Sequence, residues 1–152
     1  MLEVLSDFQI TIPEIGTIRA ARKPSVVLTS NRTRELHDAL KRRCLYHWIG
    51  PPGLEREIEI VKLRVPGVPE RLAAQAAAFV QGLRRLDLAK PPGVAETIDW
   101  AQALAALGRE EIDAEVVEQT LGSVLKYRED IEAVRDETLV SLIEEARATA
   151  KT

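Results

Sequence analysis

Two short stretches hold the residue types with the most chemical reach. The first is the polar tip Thr29-Ser30-Asn31, which closes the apolar run Val26-Val27-Leu28. An Asn after a strand ordinarily bonds local backbone and tolerates unusual φ/ψ. Ligands in an open α/β sheet also sit beyond the carboxyl ends of strands, so both roles are open to Asn31. The second stretch is Lys41-Arg42-Arg43, followed directly by Cys44. Cations at a helix C-terminus are favourable by about 0.3–1 kcal/mol through the helix dipole alone, which accounts for Lys41 and one arginine without any ligand. Cys44 has no His/Asn constellation to make it a nucleophile and reads as a small interior residue. His37 and His47 lack cysteine partners and metal-site spacing, and read as surface or interface histidines.

These residues need a framework. Val26-Val27-Leu28 is short and β-branched, the pattern of a buried strand. A helix is expected from about Thr33 to Arg42, with Thr33 as N-cap, Glu35 in the first turn, and Leu36, Ala39 and Leu40 on one face. Arg32 and Arg34 flank its start as surface cations. Leu45 to Ile49 reads as a second strand, with Tyr46 and Trp48 packing at a domain junction. Upstream, residues 9–20 alternate on both sides of Pro13-Glu14-Ile15-Gly16, a hairpin with a Gly-containing turn. Residues 1–8 read as the last two turns of a helix, with Leu2, Leu5 and Phe8 on one side. A helix that short is not stable alone, so its start is expected upstream of Met1.

Gly50-Pro51-Pro52-Gly53 is the strongest breaker cluster and marks a domain boundary, 1–52 against 53–152. Everything after it is helical in pattern. One helix is expected from Leu54 to Val65, with Leu54, Ile58, Val61 and Val65 inward. The next runs from Pro69 to about Leu86, with Leu72, Ala76, Phe79, Val80 and Leu83 inward. A third spans about Val94 to Leu107 and is closed by Gly108. Asp113 is the N-cap of a fourth that reaches about Lys126. The last runs from about Arg128 to Ala148, with Ile131, Val134, Leu139, Leu142, Ile143 and Ala146 on one face. The predicted fold class is mostly α with a small α/β part.

Composition excludes several classes. A net charge of −3 with 4% aromatic residues argues against nucleic acid as a partner, by backbone charge or by base stacking. A single cysteine excludes a disulfide framework and a multi-cysteine metal site, and fits a reducing cytoplasm. No apolar run approaches the roughly 18 residues of a membrane span.

Val26-Val27-Leu28-Thr29-Ser30-Asn31 followed by Asp38-Ala39-Leu40-Lys41-Arg42-Arg43-Cys44 resembles the sensor-1 and arginine-finger region of AAA+ ATPases, above all the MoxR branch and its CoxD-like members. The second segment is also similar to the Ser-Arg-Cys motif of clamp loaders, with Arg42 in place of the Ser. The resemblance extends over nearly the whole chain: part of an αβα core in residues 1–52, then a helical lid. It implies that Asn31 positions the attacking water, a job suited to an amide that donates without competing as a base. It implies that Arg43, or Arg42 in its place, reaches the nucleotide of a neighbouring ring subunit. It further implies ATP and Mg²⁺ as cofactors of a complete ATPase, and a client protein complex that is remodelled or matured. The lid's expected sensor-2 arginine has no counterpart in Pro91-Pro92-Gly93-Val94-Ala95-Glu96-Thr97-Ile98-Asp99-Trp100; Lys90 is the nearest cation, and Glu96 and Asp99 suit a helix N-terminus.

No Gly-x-x-x-x-Gly-Lys-[Ser/Thr] occurs, and no apolar strand ends in Asp-Glu. Phosphate cradle and Mg²⁺ carboxylates are therefore expected in a preceding segment, with no nucleotide held tightly by this chain. The alternative is a non-enzymatic helical interaction module whose basic turn binds an acidic partner. On the ATPase reading, the purified 152-residue chain hydrolyses no ATP above buffer in a phosphate-release assay; measurable turnover would mean that a catalytic centre exists without a P-loop.

Overall fold

The computed structural model describes residues 6–30 and 37–149. It is mostly helical, with one small antiparallel sheet. The chain divides into two compact units, Met1–Ile49 and Gly50–Thr152.

In the first unit, β1 (Gln9–Ile12) pairs antiparallel with β2 (Gly16–Arg19), so the expected hairpin is present. Gly16 turns the chain at φ +89°, a left-handed conformation that costs glycine little. Across the strands Thr11 and Thr17 share a hydroxyl hydrogen bond, and the Arg19 guanidinium donates to the Gln9 side chain. Phe8, at φ +51°, ends the helical residues 6–7 just before β1.

Three expectations are corrected in this unit. Val26–Leu28 is not a strand, and Val27 is 87% exposed. Leu45–Ile49 is not a strand either, and Leu45 and Ile49 are almost fully exposed. A strand is stabilised by a ladder partner and a covered face, and among the described residues the only ladder is β1–β2. The expected helix is also not continuous through His37: that residue stands outside the helix as N-cap of α1, which spans Asp38–Lys41. Asp38 suits the first turn of α1, where its carboxylate meets the helix dipole favourably. The proposed cap Thr33 and the start of that helix lie outside the described residues.

The second unit is a helical bundle. Its elements are α2 (Leu54–Arg64), α3 (Glu70–Leu83), α4 (Val94–Ala106), α5 (Ala114–Val124), α6 (Arg128–Val134) and α7 (Glu137–Thr149). Helix α3 is central and packs against α2, α4 and α7. Its Ala73, Ala76, Ala77 and Gly82 are small enough to admit three neighbours at once. At Gly82 the approach of α7 is close: a Cβ there would lie 2.7 Å from Leu142 Cδ2. Phe79 and Trp100 meet at 5.2 Å between ring centroids, both fully buried. The Trp100 indole N–H donates to Thr120, tying α4 to α5.

The helix ends follow the sequence closely. Asp113 caps α5 by accepting from the Val116 amide. Gly108, at φ +70°, closes α4 in a Schellman arrangement, with Gly108 N–H on Ala105 and Arg109 N–H on Leu104. One expectation fails: the single helix from Arg128 to Ala148 is broken into α6 and α7, with Asp136 at φ +65°. Two demands compete there. Buried Asp130 must reach the backbone of Ala89 and Lys90, while Leu139, Leu142, Ile143 and Ala146 must be buried in the core. A straight helix of 3.6 residues per turn spreads these side chains too widely for one face, and Asp tolerates the left-handed break better than most residues.

Every residue of the buried apolar cluster lies between Val61 and Ala146. Native-state hydrogen exchange should therefore find the slowest amides in α3, α4 and α5, with the β1–β2 hairpin exchanging orders of magnitude faster. Equal protection of hairpin and helices would contradict this distribution of burial. Trp100→Ala should cost about 3–5 kcal/mol in urea unfolding.

Candidate functional site

The basic turn follows α1. Arg42 is the C-cap, with αR backbone and an exposed side chain. Arg43 is exposed, but its guanidinium is not loose: Nε donates to the Ser6 hydroxyl, and Nη1 donates to the Ala39 carbonyl at 2.8 Å. Both acceptors are neutral. These two bonds fix where the cation points without themselves cancelling its charge, as a carboxylate clamp would. Lys41, by contrast, is paired with Asp38 at 3.6 Å. Of the remaining candidate, Asn31, the structure says nothing, because it lies outside the described residues, as do Arg32 and Arg34.

Beside the turn is a cleft of about 400 Å³, lined by Leu28, Thr29, Ser30, Leu40, Lys41 and Cys44 and walled by Leu45 to Ile49. The structure thus brings the polar tip preceding Asn31 to the same cleft as the end of α1. Cys44 is half-buried on its wall. Tyr46 and Trp48 stack edge to face at 5.4 Å and remain about half exposed. The polar residues lining this cleft are Thr29, Ser30, Lys41, Tyr46, His47 and Trp48, and none of the lining residues is a glycine of the kind that lets backbone amides cradle a triphosphate. No group of three or more His, Cys, Asp or Glu suited to a metal ion occurs among the described residues.

The second unit holds a polar centre that the sequence reading missed. Glu57 of α2 is fully buried. Arg84, the C-cap of α3, donates to it bidentately, Nη1 to Oε2 at 2.6 Å and Nη2 to Oε1 at 2.7 Å. Thr97 of α4 donates to Oε1 at 2.7 Å, and Gln81 to Oε2 at 3.2 Å. Arg84 Nε is spent on the Pro92 carbonyl. Burial pushes the Glu57 carboxyl up, but the hydrogen bonds from Arg84, Thr97 and Gln81 and the Arg84 charge outweigh it, leaving Glu57 below the ordinary carboxylate value. A signal was available: Glu57 lies three residues after Leu54 and four before Val61, on the inward stripe of α2.

The loop before α4 is pinned elsewhere too. Asp130 accepts from the Ala89 and Lys90 amides at 2.8 and 3.1 Å, and Glu96 accepts from the Gly93 amide at 2.9 Å. Glu96 therefore caps α4, as its position at a helix N-terminus suggested. The searches of protein-family models, of curated proteins and of solved structures found no match to this chain.

The Glu57–Arg84 pair gives two expectations. Arg84→Met leaves a buried carboxylate without its cation and should cost about 3–5 kcal/mol in urea unfolding. A carboxyl whose folded pKa is depressed contributes stability above its unfolded value and loses it as pH falls through the folded one. Stability should thus decline from about pH 4.3 downward, and Glu57→Gln should flatten that limb of the pH–stability curve. An unchanged acid limb in Glu57→Gln would show that Glu57 carries no linked proton.

Proposed function

We propose that this chain supplies the arginine finger and helical lid of a MoxR-type AAA+ ATPase whose phosphate-binding loop lies in a preceding segment. The observation that carries this reading is the state of Arg43. Its guanidinium is exposed and oriented by two neutral acceptors, and no carboxylate among the described residues pairs with it. Phosphoryl transfer asks the protein mainly for positioning and charge stabilisation, and a finger arginine needs both. In this reading Asn31 orients the attacking water and Arg42 is the second candidate for the finger. Neighbouring ring subunits and a client protein complex are the partners, ATP and Mg²⁺ are bound by the complete ATPase, and the protein works in the cytoplasm. No helix among the described residues is long and apolar enough to cross a membrane.

The experiment combines the chain in trans with a P-loop-bearing MoxR-type core stripped of its own finger. ATP turnover should rise on mixing. Arg43→Ala should remove about 10³- to 10⁵-fold of it, whereas Ser6→Ala, which only loosens the guanidinium, should cost far less. Full activity in Arg43→Ala and Arg42→Ala, with circular dichroism unchanged, would end the finger assignment.

A further inference from the structure

We draw no further inference here: the strongest candidate, the apolar cleft in the first unit between the exposed runs Val26–Leu28 and Leu45–Ile49, carries nothing because nothing in the structure shows what covers it.

Discussion

A carboxylate with no exposed surface holds the helical unit in its arrangement. Glu57 cannot stay ionised inside a protein unless its lone pairs are met and its charge is answered. The groups that meet them come from different places: Arg84 and Gln81 from the end of α3, Thr97 from the first turn of α4. The pair therefore fixes three helices at once, which a single apolar contact would not do. Arg84 extends the same constraint to Pro92, so the Pro-Pro-Gly loop that launches α4 is set by the guanidinium that neutralises α2.

Asp130 plays a matching part from the other side. Its two oxygens take the Ala89 and Lys90 amides and so tie this exposed loop to α6. That bond is also why the last helix breaks. α6 must deliver a carboxylate to the loop while α7 lies along α3, and Asp136 accepts a left-handed backbone so that both can happen. The path of residues 84–93 is thus determined by two acids distant in sequence, not by its own prolines alone.

Much of this was legible in the sequence, for identifiable reasons. The hairpin was announced by alternation around Pro13–Gly16, and the helices by apolar spacing, by Asp113 as cap and by Gly108 as terminator, all local signals. What escaped was non-local. Glu57 on an inward stripe was visible as an oddity, but its partners lie 24 to 40 residues away. The apolar runs Val26–Leu28 and Leu45–Ile49 misled because β-branched and aromatic composition states only a preference, and a strand also needs an edge to pair with. At the candidate finger, the sequence placed a cation at the end of a helix, but it could not show that Ser6, 37 residues earlier, would orient it.

The two arginines that matter most are bound in opposite ways, and the contrast bears on function. Arg84 is nearly buried and meets a carboxylate, a carbonyl and a hydroxyl, so its charge is cancelled where it stands. A cation in that state holds structure together and has nothing left for a ligand. Arg43 is exposed and, among the described residues, donates to a hydroxyl and a carbonyl, which set its direction without neutralising it. Neutral acceptors restrict the rotamers of a long side chain, which lowers the entropy lost when an anion arrives. They do so without competing for the charge, as a carboxylate would. That distinction, between a guanidinium neutralised in place and one aimed by neutral acceptors, is why the finger role is proposed for Arg43 and not for Arg84.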